Sequence, residues 1–263
     1  MKKLFSLVLA SIMALGISTI SFAADFSVEQ KLQQMGVPNR LLATMPEEIK
    51  EDMAKCYDEG GTYGGTDTQI VEMGHTDKRM TRSAISSRKL ELEVTYITMP
   101  DGRGGTAHRK VYGDFRWLTN PGSFECDAVA LEWGNGWVLS DRKDPSFVYQ
   151  YYGAESGKIF SESTRLNTNN SISEPNAGLC YTKLKLRTTV KNGNETAVDH
   201  NGWLMLELER DGGARSTNVI VKYIQTGVRF IPVGSISFKS GSISVTPTII
   251  HKVGQSKSNF TMR

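Results

Sequence analysis

Hydrophobic and polar positions follow two different periods along this chain. Between residues 27 and 59 the period is helical. Ser27-x-x-Gln30 forms a capping box, Val28, Leu32 and Met35 share one face, and Gly36 stops the helix. Thr44-x-x-Glu47 reads as a second capping box with Pro46 in the first turn. Ile49, Met53 and Cys56 then recur on one face until Gly60-Gly61. Residues 39–45 add a short turn of helix. Such an apolar stripe must be buried, on the rest of the chain or on a partner.

From about residue 66 the period is two. Leu90, Leu92, Val94 and Tyr96 alternate with Glu91, Glu93 and Thr95. After a turn at Pro100-Asp101-Gly102, Val111, Phe115 and Trp117 alternate with Lys110, Tyr112, Asp114 and Arg116. This predicts a hairpin with one apolar and one wet face. Further strands are expected at 125–133, 137–140, 147–152, 179–190, 202–210, 217–225, 234–239 and 242–251. Gly134-Asn135-Gly136, Asp211-Gly212-Gly213 and Lys239-Ser240-Gly241 punctuate them.

The fold class is therefore mainly β: an antiparallel β-sandwich of about ten strands preceded by a small N-terminal helical segment, with a closed barrel as the alternative. Residues 58–66, Asp-Glu-Gly-Gly-Thr-Tyr-Gly-Gly-Thr, read as a linker between the two regions. A calcium loop using Asp58, Glu59 and Asp67 is the sharper alternative. No repeat of fixed period is present, which argues against a propeller or solenoid.

Residues 1–23 lie outside both patterns and read as a secretory leader. Lys2 and Lys3 precede an apolar run from Leu4 to Ile20, and Ser21-Phe22-Ala23 supplies the small residues of a cleavage site. The expected organisation is a leader at 1–23, a helical segment at 24–60 and a β-sandwich at 61–263. The product is expected to be secreted, extracellular or periplasmic, with no stable membrane anchor.

Composition changes this picture little. The chain has 263 residues, 39% hydrophobic and 22% charged, which is globular rather than disordered composition. Loss of Lys2 and Lys3 with the leader lowers the net charge from +3 to +1. So small an excess points to no nucleic-acid partner.

Three cysteines, Cys56, Cys126 and Cys180, have no metal-knuckle or Cys-x-x-Cys spacing. Cys126 and Cys180 both fall in strand-like sequence and are the candidate disulfide, worth about 4 kcal/mol by chain entropy if formed. Three buried free thiols are the alternative. The four histidines lack zinc-ligand spacing, so no metal or cofactor is implied. Asp199-His200 lies in a polar stretch and is expected to be a solvated loop. No Gly-x-Ser-x-Gly elbow occurs and no catalytic residue is assigned.

Trp133-Gly134-Asn135-Gly136-Trp137 is the most suggestive motif. As the closing pair of a hairpin the two indoles would share a face. Facing inward they are packing. Facing outward, Trp133, Asn135 and Trp137 would form a ligand-binding platform for a sugar or apolar surface.

The pairs Ser235-Ile236-Ser237-Phe238 and Ser242-Ile243-Ser244-Val245-Thr246 alternate in the manner of membrane-inserting hairpins. Their arms are short before Pro247, against the ~9–11 residues that cross a bilayer. An ordinary sandwich hairpin is expected. The favoured function is a secreted, non-catalytic binding or interaction protein recognising a glycan or protein at a cell surface. The alternatives are a secreted glycan hydrolase and a membrane-active, toxin-like protein.

Overall fold

A computed structural model describes residues 26–73, 88–101, 105–119, 121, 126–134, 136–166, 173–174, 178–191, 193–211, 217–226, 237–239, 242–244, 251–254 and 260–262. The expected leader lies outside these residues. Among these residues three helices precede the strands: α1 (Val28–Met35), α2 (Asn39–Thr44) and α3 (Glu47–Asp58). The Ser27–Gln30 capping box forms, and Gly36 closes α1 in the left-handed conformation. The second expected box does not form. Pro46 occupies the N-cap of α3 with no side-chain cap, because Thr44 ends α2 and its hydroxyl donates back to Leu41 O.

The strands are β1 (Thr62–Met73), β2 (Arg88–Met99), β3 (His108–Trp117), β4 (Cys126–Trp133), β5 (Trp137–Leu139), β6 (Ser146–Gly153), β7 (Ile159–Arg165) and β8 (Ser173–Glu174). They continue as β9 (Leu179–Leu184), β10 (Ala197–Arg210), β11 (Thr217–Thr226), β12 (Ser237–Lys239), β13 (Ser242–Ser244), β14 (His251–Gly254) and β15 (Phe260–Met262). Sheet one runs β1-β2-β3-β10-β6-β7, with β5 also on β10. Sheet two runs β14-β11-β4-β9-β8, with β15 also on β11. Every pairing among these strands is antiparallel.

The sandwich core follows from the alternation. Leu90, Leu92 and Val94 of β2, Val111 and Phe115 of β3, and Leu204, Leu206 and Leu208 of β10 face Val129 and Leu131 of β4 and Val219, Val221 and Tyr223 of β11. The chain is thus a mainly β, two-sheet antiparallel protein with a short helical segment before the strands.

The opposite face of sheet one departs from expectation. It is not wet. Ile97, Met99, Tyr112, Val148, Trp203 and Met205 pack there against Leu32, Leu41, Ile49, Met53 and Cys56 of the helices. The helical stripe therefore finds its cover on the sheet, which makes a three-layer arrangement. Glu93, Thr95, Lys110 and Asp114, read as solvent-facing, are buried by the same contact.

The expected linker is also structured. Gly60 and Gly61 follow α3 and β1 begins at Thr62. The strand needs its glycines: a Cβ on Gly64 would fall 2.0 Å from the Tyr96 ring, and Gly65 has φ of 145° beside a bulge in the β1–β2 register. Asp58 pairs with Lys31 at 2.8 Å rather than facing a calcium loop.

Candidate functional site

The tryptophan platform is overturned. Trp133 ends β4 in sheet two, whereas Trp137 opens β5 in sheet one. The intervening residues carry the chain between sheets instead of closing a hairpin. Both indoles are buried in the sandwich core. The Trp133 Nε1 donates to Trp137 O at 3.0 Å, and the Arg109 guanidinium lies 5.7 Å from the Trp137 ring centroid. Asn135 lies outside the described residues.

The disulfide is overturned too. Cys180 is a free, buried thiol. In the β4–β9 register Cys180 stands opposite Leu131, while Asp127 stands opposite Leu184. Cys126 is thus offset from Cys180 by five residues, roughly 17 Å along the strand. A bridge requires Cα atoms under ~7 Å apart. Burial pushes the Cys180 thiol up to about 12 and the Cys56 thiol up to about 11, so both are poor nucleophiles.

Asp199-His200 is not a loop. Asp199 takes a left-handed φ of 49° at a bulge where β10 slips against β6. The bulge turns His200 inward, where its Nδ1 lies 2.7 Å from Tyr149 Oη and its ring stacks on the tyrosine at 6.0 Å. Burial pushes its pKa down to about 4, which leaves a neutral imidazole at neutral pH.

A different place collects unspent polar chemistry. On the helix side of sheet one, Glu93, Asp114 and Trp203 form one cross-strand row over β2, β3 and β10. Glu91, Arg116 and Asn201 form the next row. The helix α2 adds Arg40 and Thr44 as a wall, and the narrow cleft between has a volume of about 20 Å³.

Most charges here are matched. Arg40 Nη2 donates to Glu93 Oε2 at 3.1 Å, and Thr68 Oγ1 donates to the same oxygen at 2.5 Å. Arg116 Nη2 donates to both oxygens of Glu91, at 2.9 and 3.1 Å. Three atoms are left over: Asp114 Oδ1, Asn201 Oδ1 and Arg116 Nε are buried without a hydrogen-bond partner. Asp114 is only 6% exposed and Asn201 only 7%. Burial, then the charges of Glu93 and Glu91, push the Asp114 carboxyl well above the ordinary carboxylate range. Burial also raises Glu93, although Thr68 and Arg40 oppose it.

An unpartnered buried polar atom costs about 1–3 kcal/mol, so three in one cleft call for an explanation. A ligand offering both donors and acceptors supplies one. Among the described residues no cluster of His, Cys, Asp and Glu is arranged to hold a metal ion.

Sequence reasoning passed over these residues because alternation marks Glu91, Glu93, Asp114 and Arg116 as solvent-facing. The signal that could have found them was present. A hairpin face carrying three acids and an arginine follows an amphipathic helical segment that needs a surface to cover.

Comparison with known proteins adds no assignment. No family model matches the chain, and no curated protein matches it. One solved structure, titled a pore forming protein, aligns at TM-score 0.28 and 11% identity over 62% of this chain and 78% of its own. The Clostridium perfringens NetB toxin in its membrane-inserted form aligns at TM-score 0.25 and 14% identity over 61% of this chain and 84% of its own. Both scores are too low to bear on what this chain does.

Proposed function

We propose that this chain is an exported, non-catalytic binding protein that recognises a carbohydrate at a cell surface, in the cleft between α2 and sheet one. The observation that carries this reading is the set of unpartnered atoms, Asp114 Oδ1, Asn201 Oδ1 and Arg116 Nε. Asn201 Oδ1 accepts, Arg116 Nε donates and the Asp114 carboxyl, raised by burial, can do either, a set that fits hydroxyl groups, each of which both donates and accepts. The leader-like residues 1–23 support export.

The neighbouring acids favour binding over hydrolysis. Glycosidases place their two carboxyls on either side of the scissile bond. Here Glu93 and Asp114 are cross-strand partners projecting from one floor. Glu93 is 2% exposed and already engaged by Thr68 and Arg40.

The test is a glycan panel read by calorimetry and tryptophan emission, since Trp203 lines the cleft. Saturable binding without turnover supports the proposal. Product release from a bound glycan would make the protein a hydrolase, and no binding to any glycan would remove the reading.

One observation favours a second, membrane-directed reading. Among the described residues β12 and β13 form a ladder of their own, joined to neither sheet. That ladder sits in the chain between β11 and β14, which pair with each other at Thr226 and His251. From Gly227 to Ile250 there is no acidic residue, and Ile236, Phe238, Ile243 and Val245 alternate with Ser235, Ser237, Ser244 and Thr246. A bilayer-crossing hairpin would have to accommodate Pro232 and Pro247, which strands accept only at edges or bulges. Dye release from liposomes tests it: release supports membrane action, and none across lipid compositions excludes it.

A further inference from the structure

We infer that the cleft between α2 and sheet one holds one ordered water molecule, hydrogen-bonded to Asp114 Oδ1, Asn201 Oδ1 and Arg116 Nε. This goes beyond the carbohydrate reading, because it names what these atoms hold in the unliganded protein.

Register brings the three groups together. Asn201 on β10 stands opposite Arg116 on β3, and Asp114 precedes Arg116 by two residues on the same face. Direct partners in such a pair are about 5 Å apart at Cβ, and diagonal ones about 7 Å. Two hydrogen bonds of about 3 Å that meet at one oxygen bridge side chains so spaced. All three side chains line the cleft, and the three atoms are buried without a partner.

Size fits one water. The volume of about 20 Å³ exceeds the ~10–15 Å³ that a single water requires. A buried water makes about three hydrogen bonds. Here it accepts from Arg116 Nε and donates to Asn201 Oδ1. Its second hydrogen or second lone pair serves Asp114 Oδ1, according to which oxygen of that carboxyl carries a proton.

Charge selects water over an ion. Glu93 is paired with Arg40, and Glu91 with Arg116. That leaves Asp114 without a cation of its own. Burial, then Glu93 and Glu91, raise its carboxyl and favour the uncharged form, so the cleft is close to neutral. A cation would meet the Arg116 Nε donor. An anion would meet Asn201 Oδ1 and the two glutamates. Water satisfies donor and acceptors alike.

The experiment is crystallography of the full chain, from rubidium chloride and from sodium bromide in parallel, at a resolution that shows ordered water. The expected result is one density peak about 2.7–3.2 Å from all three atoms in both crystals, with an anomalous signal in neither. In solution, water-oxygen relaxation dispersion should count one fewer long-lived water in Asn201→Leu than in the parent. Asp114→Asn, which keeps hydrogen-bonding capacity there but cannot ionise, should leave the count unchanged. A cleft with no peak overturns the inference. So does an anomalous peak there, from rubidium as a cation or from bromide as an anion, and so does an unaltered count in a folded Asn201→Leu. The density maps need no variant to fold. The glycan panel decides the carbohydrate reading by itself, because the water peak does not depend on whether any sugar binds.

Discussion

The Asp52 carboxylate of α3 lies 2.6 Å from the Lys110 ammonium of β3, both beneath the helical layer. Tyr112 Oη donates to the same carboxylate at 3.0 Å, and Lys143 reaches its other oxygen at 2.8 Å. Burial alone would raise the Asp52 carboxyl. The two lysines outweigh burial and hold it below the ordinary carboxylate value. This polar contact joins helix to sheet in the midst of apolar packing.

Asp52→Ala should therefore destabilise the protein more than loss of its ion pairs with Lys110 and Lys143 alone suggests, because Lys110 is left buried and without its nearest carboxylate. The expected loss is about 3–5 kcal/mol, read from urea midpoints. The same carboxyl gives an acid limb. Its pKa is lowered on folding, so its contribution is present above the unfolded carboxylate pKa and is lost as pH falls through the folded one. A variant that unfolds at the unaltered midpoint would refute the contact's importance.

His200 gives a second pH dependence at higher pH. Its pKa falls from 6.5 to about 4 on folding. Between those values the unfolded chain binds a proton that the folded chain does not, so stability declines as pH drops from 6.5 toward 4. The full effect is on the order of 3 kcal/mol. His200→Gln should flatten the slope of unfolding free energy against pH within that window, and an unchanged slope would show that the imidazole is not its source.

Gly113 on β3 fixes how closely the two sheets approach. A Cβ there would come within 2.5 Å of Leu131 Cδ2, at the centre of the sandwich. Gly113→Val should cost about 1–3 kcal/mol through overpacking. Thermal melts of Gly113→Val alone and paired with Leu131→Ala measure it, with partial recovery expected in the pair.

Trp133 and Trp137 should behave as core residues. Each change to alanine should lower stability by about 3–5 kcal/mol. Carbohydrate affinity, measured under conditions where the variants are folded, should stay within twofold of the parent. Selective loss of affinity with unaltered stability would restore them to a binding role.

The sandwich was legible because its core alternates strictly: Leu90, Leu92 and Val94 announce a buried face whatever covers the other side. What covers that other side was not legible. Period two shows that Glu93 and Asp114 share a face, but not that Leu41 and Ile49, far away in sequence, come to lie on it. His200 escaped for a local reason. A one-residue slip at Asp199 inverts the alternation, and polar neighbours then disguise a buried ring. The Trp133–Trp137 motif misled because spacing alone looks the same for a hairpin turn and for a step between sheets.

The placement of the helical layer also sets an order on folding. Its floor is drawn from β2, β3, β6 and β10, and Trp203 and Met205 are near the end of that series. The helices are synthesised first, yet their docking surface is incomplete until β10 exists. Contacts so distant in sequence form slowly. Through that interval Leu32, Ile49 and Met53 are the nascent chain's uncovered apolar surface, the part a holding chaperone would grasp.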